Sequence, residues 1–139
     1  MTVSDLMRED VVTASPDAPV TEVATEMRDE NVGSVVVVES DAPVGLVTDR
    51  DIAVRIAADG LDADEMTAEG VMTEDPLTVE RDTGVFELCA TMDEEDVRRM
   101  PVVDGGDLVG IVTLDDLIRL LTDELTTLTG VIEAESPSY

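Results

Sequence analysis

Gly45-Leu46-Val47-Thr48-Asp49-Arg50-Asp51 returns later in the chain as Gly110-Ile111-Val112-Thr113-Leu114-Asp115-Asp116. Each copy of this heptapeptide, which we call the signature, places an apolar run before a Thr and an Asp three residues after it. That pattern is typical of a buried strand that leads directly into a helix. The offset is 65 residues at every matched position, and the register continues without a gap back to Met7 and Met72. The chain therefore consists of two copies of one unit.

The residues around each signature predict the order strand, helix, strand, strand, helix. Apolar residues at i, i+3, i+4 and i+7 are typical of a helix with one buried face, and short valine-rich runs are typical of buried strands. The Gly105-Gly106 pair between two apolar runs predicts a tight hairpin turn. The predicted elements are strand 11–14, a helix beginning at Pro19, strands 33–39 and 44–48, helix 49–58, strand 77–79, helix 85–95, strands 100–103 and 108–113, and a helix from Leu114.

The helix after each signature is expected to bury one face. In the second copy the apolar spacing continues through Leu125 and Leu128, so this helix is expected to extend beyond the repeat, although Gly130 weakens the pattern. In the first copy the side chains expected to face the core are Ile52, Ala53, Ile56 and Ala57.

The repeat also predicts the domain organisation. The first unit is residues 1–60, a polar acidic linker is residues 61–69, and the second unit is residues 70–122. Residues 123–139 form a helical extension with a frayed end at Ser136–Tyr139. Because a single unit of this size would bury little apolar surface, we expect an α/β fold in which two β-α-β-β-α units pack about a pseudo-two-fold axis. Such packing creates two equivalent clefts.

The charge composition is extreme for a chain with ordinary apolar content. The 139 residues include 34 acidic and 8 basic ones, for a formal net charge of −26, while 43% are hydrophobic. All the basic residues are Arg. At about 1 M salt the Debye length falls to about 3 Å and screens most of this repulsion, so we expect adaptation to a salt-rich cytoplasm, as in halophilic archaea. An acidic interaction protein from another source is the alternative. Binding to nucleic acid or to an anionic membrane is disfavoured in either case.

Other residue types limit the chemistry. Cys89 is the only cysteine and there is no His, so neither an internal disulfide nor a zinc site is expected. Acid–base or nucleophilic catalysis would have few groups to use, and we expect no enzyme. No signal-peptide pattern or membrane span is present, which favours a soluble, cytoplasmic protein.

Several segments besides the signatures carry a resemblance to a known family. They are Arg99-Met100-Pro101-Val102-Val103-Asp104 before the hairpin turn, Asp5-Leu6-Met7 and Gly70-Val71-Met72 before the first strand of each copy, and Thr13 and Thr78 in those strands. With both signatures, they make residues 3–122 similar to a tandem pair of cystathionine-beta-synthase (CBS) domains, often called a Bateman module.

The resemblance implies a regulatory module for an adenosine-containing ligand, namely AMP, ADP, ATP, S-adenosylmethionine or NAD, without a catalytic cofactor or a metal. In that family the signature Asp receives the ribose hydroxyls and the Thr contacts ribose or phosphate. These roles fall to Thr48, Asp51, Thr113 and Asp116. The implied base-binding residues are Val12, Thr13, Ser34 and Val35 in one cleft and Leu77, Thr78, Arg99, Met100 and Pro101 in the other. The resemblance also implies a homodimer and a partner protein that responds in trans.

The chemistry of these residues suits that role. A carboxylate accepts two strong hydrogen bonds from a vicinal diol, and a helix N-terminus attracts phosphate. The candidates for phosphate binding are Arg50, Arg98 and Arg99, because they are expected to lie beside the clefts in a chain that is poor in positive charge. Arg98 and Arg99 are replaced by Gly33 and Ser34 in the first copy, so the two clefts are chemically unequal.

Thr-x-x-Asp at the start of a helix has a second interpretation. The same four residues form a variant of the capping box, in which the Thr and the Asp bond to each other's backbone. A protein that used its signatures only as caps would be an assembly or interaction module without a physiological ligand. This is the alternative to a nucleotide sensor, although a capping Asp can still present one oxygen to a ribose.

Overall fold

Two small sheets covered by helices form the molecule in the computed structural model, which describes residues 1–135. The frayed end predicted for Ser136–Tyr139 lies outside the described residues. The elements in chain order are a 3₁₀ helix at Val3–Asp5, β1 (Thr13–Ala14), α1 (Val20–Glu30), β2 (Ser34–Glu39), β3 (Ala42–Thr48), α2 (Asp49–Asp51) continuing as a π-helix at Ile52–Ala58, α3 (Ala68–Val71), β4 (Thr73–Glu74), β5 (Val79–Glu80), α4 (Val85–Glu95), β6 (Arg99–Asp104), β7 (Asp107–Thr113) and α5 (Leu114–Glu135). The predicted α/β fold of two β-α-β-β-α units is confirmed.

The two hairpins have the same pairing and the same register. In the first sheet β1 runs parallel to β2, and β2 pairs antiparallel with β3, with Ser34 opposite Thr48. In the second sheet β5, β6 and β7 repeat this arrangement, with Arg99 opposite Thr113. Both hairpins also carry a register shift at equivalent positions. The repeat in the sequence is therefore a repeat in the structure.

The segment before the first strand of each copy packs against the other unit. We call residues 1–10 the first lead-in and residues 66–75 the second lead-in. The first lead-in contributes Val3, Leu6 and Met7 to the core of the second unit, and the second lead-in contributes Met66, Ala68, Val71 and Met72 to the core of the first unit. Met66 and Ala68 of the predicted linker at 61–69 thus pack in the first core, and each core is completed by the lead-in of the other copy.

Each lead-in also extends the sheet that it crosses. In the second lead-in β4 pairs antiparallel with β3, with Thr73 opposite Leu46. In the first lead-in Arg8 forms an isolated antiparallel bridge with Ile111 of β7, through two backbone hydrogen bonds of 2.9 Å. The two bridges are equivalent by the 65-residue offset, and they bring Arg8 to the end of the second signature strand.

The crossing lead-ins explain the glycine of each signature. A Cβ on Gly45 would meet the Sδ of Met72, and a Cβ on Gly110 would lie 2.7 Å from the Sδ of Met7 and 3.0 Å from the carbonyl oxygen of Arg8. A glycine inside a strand often marks the close approach of another segment. These two positions need glycine for the space it leaves.

The hairpin turns use backbone conformations with positive φ. Gly105 and Gly106 have φ of 60° and 94°, and at the equivalent turn Ser40 and Asp41 have φ of 51° and 66°. Two successive positive φ values are the mark of a type I′ hairpin turn. The turn predicted from the Gly-Gly pair is confirmed, and the first copy makes the same turn without glycine.

The helix after the first signature differs from the prediction. After α2, residues 52–58 are π-helical, so the spacing of buried side chains no longer follows 3.6 residues per turn. Ile56 is buried, whereas Ala53 and Ala57 are exposed. The prediction that Ala53 and Ala57 face the core is wrong because it assumed an α-helical period.

The first strand of each copy is shorter than predicted. Residues 11–14 and 77–79 give way to two-residue strands, β1 and β5, and Leu77 lies outside the strand with 39% of its surface exposed. Both strands lie at the edge of a sheet and pair with one neighbouring strand. With hydrogen bonds on one side alone, fewer residues of the extended segment are held as a strand.

The last helix extends well beyond the repeat, as predicted. α5 continues through Gly130 to Glu135, while the equivalent helix of the first copy ends at Ala58. Several apolar side chains along α5 are exposed, namely Ile118, Leu121, Leu125, Leu128, Val131 and Ile132. Among the described residues, no helix has both the length and the apolar character needed to cross a bilayer.

Candidate functional site

A cleft of about 300 Å³ lies between the two units, at the lower end of the volumes that hold small molecules. It opens where the first lead-in and the start of β2 meet the start of β6 and the end of β7. The first lead-in and first unit contribute Arg8, Asp10, Val11, Val12, Asn31, Val32, Gly33 and Ser34, and the second unit contributes Arg98, Arg99, Ile111, Thr113 and Asp115.

The local fold explains why equivalent residues of the two units meet at this cleft. Helices α1 and α4 are each followed by a residue with φ of 53°, Asn31 and Asp96 respectively. This left-handed residue ends the helix and turns the chain into the next strand. The start of each following strand is then tied to the helix after the signature. The backbone N–H of Asp49 donates to Gly33, and that of Leu114 donates to Arg98, at 3.0 and 2.7 Å.

The second signature forms a closed cap at the start of α5. The backbone N–H of Thr113 donates to Oδ2 of Asp116 at 3.2 Å, and the Thr113 hydroxyl donates to the same oxygen at 2.9 Å. The backbone N–H of Asp116 donates to Oγ1 of Thr113 at 3.2 Å. Thr113 therefore takes one oxygen of the carboxylate, while Oδ1 remains for other partners.

Two arginines share Oδ1 of Asp116. Nη2 and Nε of Arg8 donate to it at 3.0 and 3.2 Å, and Nη1 of Arg119 lies 3.9 Å away. The Asp116 side chain is only 10% exposed, whereas that of Arg8 is 53% exposed. Asp116 thus connects the helix cap to Arg8, which lines the cleft.

The first signature makes the same cap in different surroundings. The backbone N–H of Thr48 donates to Oδ2 of Asp51 at 2.9 Å, and that of Asp51 donates to Oγ1 of Thr48 at 3.1 Å. Within residues 1–135, the one basic side chain near Oδ1 of Asp51 is that of Arg55, at 4.0 Å on the same helix. The position equivalent to Arg8 is Thr73, so no arginine from the second lead-in reaches this carboxylate.

Most arginines are already paired with acidic side chains. Arg98, at the cleft, lies 3.8 Å from Asp115, and Arg28 and Arg81 have partners on the surface. Within residues 1–135, only Arg50 and Arg99 take part in no ion pair. Arg50 is exposed and does not line the cleft, whereas Arg99 is half-buried and does.

The guanidinium of Arg99 lies close to Gly33. Its Nη1 is 3.7 Å from the place where a Cβ would sit on that glycine, and Oδ2 of Asp49 approaches the same place to 3.4 Å without pairing with the arginine. A partly buried charge without a partner is unfavourable unless an anion compensates it. In a chain with a net charge of −26, Arg99 thus leaves a positive charge at the cleft that no carboxylate within residues 1–135 pairs with.

The structure brings five of the predicted site residues to this cleft: Val12, Ser34, Arg98, Arg99 and Thr113. Asp116 does not line the cleft, but it accepts hydrogen bonds from Arg8 and Thr113, which do. Val35 and Met100 are buried in the two cores, and Pro101 is also buried. Thr13 lines a separate groove beside the two hairpin turns. The remaining predicted residues, Thr48, Asp51, Arg50, Leu77 and Thr78, do not line the cleft.

The sequence interpretation missed several residues of the cleft. The most important is Arg8, and the others are Asp10, Val11, Asn31, Val32, Ile111 and Asp115. For two of these residues, Arg8 and Asp115, the sequence did contain a clue, because the two copies carry different charges at those positions. Arg8 corresponds to Thr73 in the second copy, and Asp115 corresponds to Arg50 in the first.

Comparison with known proteins identifies the family. The CBS domain model matches the chain twice, at residues 3–58 and 68–123. The chain belongs to the CBS domain family. One relative is the uncharacterized protein MK0525 of Methanopyrus kandleri, which is 38% identical over 122 residues. The match covers 86% of this chain and 62% of MK0525, so this CBS pair spans less than two thirds of that relative.

Solved CBS pairs have the same architecture. The CBS domain protein PAE2072 from Pyrobaculum aerophilum, complexed with AMP, is 32% identical with a TM-score of 0.79, over 91% of this chain and 99% of its own. The CBS domain pair of protein MJ0100, complexed with 5′-methylthioadenosine and S-adenosyl-L-methionine, is 28% identical with a TM-score of 0.79. That match covers 89% of this chain and 98% of MJ0100. Related CBS pairs thus bind adenosine compounds with and without phosphate.

Proposed function

We propose that this CBS pair is a regulatory module that binds an adenosine nucleotide in the cleft beside the second signature. The observation that carries the proposal is Arg99, a half-buried residue that lines the cleft and has no ion pair within residues 1–135. The AMP bound by PAE2072 and the adenosine compounds bound by MJ0100 support the same class of ligand. The charge of Arg99 favours a ligand with a phosphate.

The other parts of the cleft suit the rest of a nucleotide. Val11, Val12 and Val32 offer apolar contact to a base. At the start of α5, Thr113 and Asp116 offer a hydroxyl and a carboxylate oxygen to a ribose. The same helix N-terminus adds a partial positive charge for phosphate oxygens. Base, ribose and phosphate can therefore each meet a group of matching chemistry.

A regulatory output follows from the position of the cleft. Its walls come from both units and from the first lead-in, so a ligand contacts parts that can shift relative to one another. A ligand that binds one packing of the units more tightly shifts the population toward it. We propose that a partner protein responds to this change in trans, in the cytoplasm.

We propose binding without catalysis. The chain has no His, and its single cysteine, Cys89, packs against the core of the second unit. General acid–base and nucleophilic mechanisms depend on such groups at a substrate. Turnover of AMP, ADP or ATP by the purified protein, followed by chromatography of the nucleotides, would contradict this part of the proposal.

We also propose that two copies associate through α5. Its side chains Ile118, Leu121, Leu125 and Leu128 are 48–65% exposed and alternate in spacing between three and four residues, which places them on one face. Residues 125–132 contain no charged residue. Because each chain carries a net charge of −26, two copies can approach with least repulsion along this uncharged face.

The assembly module without a ligand remains the alternative function. It is favoured by the hydrogen bonds of the two signatures, since capping alone accounts for both threonines and both aspartates. It does not account for the unpaired Arg99 at the cleft. The two proposals differ in whether any adenosine compound raises the stability of the protein.

A thermal-shift screen in concentrated KCl tests the proposal. The compounds are AMP, ADP, ATP, S-adenosylmethionine and NAD, with GMP and GTP as controls. A ligand at about 100 times its dissociation constant stabilises the native state by about 2.7 kcal/mol. We expect stabilisation by a phosphate-containing adenosine compound, and an affinity about tenfold lower in Arg99→Ala, because the variant loses a charge-assisted contact.

Arg28→Ala is the matched control. Arg28 is exposed on α1 and paired only with Asp29, so its removal changes the net charge equally without altering the cleft. We expect this variant to bind like the original protein. A protein that is stabilised by none of the adenosine compounds would contradict the nucleotide proposal and favour the assembly module.

A further inference from the structure

Arg8 joins the cleft to Oδ1 of Asp116, the carboxylate oxygen of the second signature that Thr113 does not use. Its guanidinium donates twice to Oδ1 of Asp116, and the residue lines the cleft. Its backbone is fixed by two hydrogen bonds to Ile111, whereas its side chain is 53% exposed. The guanidinium can therefore move while the backbone of the first lead-in stays in place.

The two oxygens of Asp116 are not equally accessible to a ligand. Oδ2 accepts two hydrogen bonds from Thr113, one of them from the hydroxyl. A ribose hydroxyl that binds Asp116 without opening the helix cap must therefore use Oδ1, the oxygen held by Arg8. Ribose and Arg8 compete for the same acceptor.

This competition gives Arg8 a role in choosing the ligand. A guanidinium displaced from Asp116 loses a charge-assisted hydrogen bond, and another anion must replace that carboxylate if the loss is to be offset. A nucleotide brings a phosphate into the same cleft, and a planar guanidinium can bind phosphate through two nitrogens. A nucleoside without phosphate brings no such replacement.

We propose that Arg8 selects ligands that carry a phosphate, by exchanging Asp116 for the phosphate when the ribose binds Oδ1. This inference rests on the proposed nucleotide site and names a determinant of its specificity. The first copy cannot make this exchange, because Thr73, at the position equivalent to Arg8, has no guanidinium. Phosphate selection is thus a property of the second signature alone.

The test compares AMP with adenosine by calorimetric titration in Arg8→Ala. Removing Arg8 frees Oδ1 for the ribose, so adenosine binds more tightly, and removes a phosphate contact, so AMP binds more weakly. We expect the preference for AMP over adenosine, measured as the ratio of dissociation constants, to fall about tenfold. Arg8→Lys keeps the charge but not the planar group, and its ratio should lie between those of Arg8→Ala and the original protein.

Arg28→Ala is the control, since Arg28 is exposed on α1, pairs with Asp29 and does not line the cleft. It should leave the ratio unchanged, and thermal unfolding of each variant checks that the fold is intact. An unchanged AMP preference in Arg8→Ala and Arg8→Lys would overturn the role of Arg8 while leaving the nucleotide site in place. Failure of the original protein to bind either compound would overturn both proposals.

Discussion

Asp51 and Asp116 occupy equivalent positions in the two copies and make the same helix cap, but their second oxygens have different neighbours. Oδ1 of Asp116 accepts hydrogen bonds from Arg8 of the first lead-in, whereas Oδ1 of Asp51 lies 4.0 Å from Arg55 of its own helix. The cap belongs to the repeated unit itself. The ion pair depends on which lead-in crosses the strand, and here the two lead-ins differ in sequence. A repeat can therefore preserve its architecture while the two copies acquire different chemistry.

Substitution of the two signature glycines is expected to have the largest effect on stability. Gly45→Ala and Gly110→Ala each place a methyl group against a methionine of the crossing lead-in, and overpacking of this kind costs about 1–3 kcal/mol of unfolding free energy. The closest atoms to Gly45 all belong to the side chain of Met72, whereas Gly110 also meets the backbone carbonyl of Arg8 at 3.0 Å. We expect Gly45→Ala to be the more destabilising, because its methyl group would approach the buried side chain of Met72 more closely than that of Gly110→Ala approaches Met7.

Denaturant unfolding of double variants distinguishes the two positions. Met72→Ala should relieve much of the cost of Gly45→Ala, and Met7→Ala should relieve less of the cost of Gly110→Ala. Gly84→Ala is the control, since a Cβ at that position would meet no atom of residues 1–135 within 4 Å. Equal relief in the two cycles would show that the lead-ins cross both strands in the same way.

The repeated architecture was accessible from sequence because it depends on local patterns. The 65-residue offset, the signature and the Gly105-Gly106 turn each specify a conformation within a few residues. The exchange of lead-ins was not accessible, since Met7 and Met72 are equally apolar and the pattern does not say which core they join. Arg8 was missed for the same reason, because it reaches the cleft through its pairing with Ile111, about a hundred residues away in sequence.

The helix after each signature gives a second comparison. In the first copy it becomes π-helical and ends at Ala58, while α5 continues to Glu135 with an exposed apolar face. The π-helical turn was not predictable from a pattern scored at 3.6 residues per turn. The extension was, because the apolar spacing continues through Leu128.

Self-association through α5 can be tested by adding charge to that face. We expect Leu125→Asp with Leu128→Asp to raise the dissociation constant of the dimer by at least about a hundredfold, since it removes apolar contact and places like charges opposite each other. Sedimentation in concentrated KCl measures the change. Thr126→Asp with Thr127→Asp adds the same charge to the same turn on another face and should leave the dimer intact. Equal dissociation by both pairs would assign the effect to net charge alone.

The smallest expected effect returns to the two carboxylates. If the ribose binds Asp116, AMP should bind about tenfold more tightly than 2′-deoxy-AMP, because the deoxy compound lacks one donor to the carboxylate. Asp116→Ala should remove this preference, and Asp51→Ala should keep it. Each variant loses one helix cap, which costs about 1 kcal/mol of stability in both, so stability alone cannot produce the difference. Titration calorimetry with both nucleotides measures the ratio, which is insensitive to whatever Arg8 contributes through the phosphate that the two share. If Asp51→Ala also abolished the preference, the first signature would bind ribose as well. The different neighbours of Oδ1 would then change the affinities of two nucleotide sites, and neither signature would serve only as a helix cap.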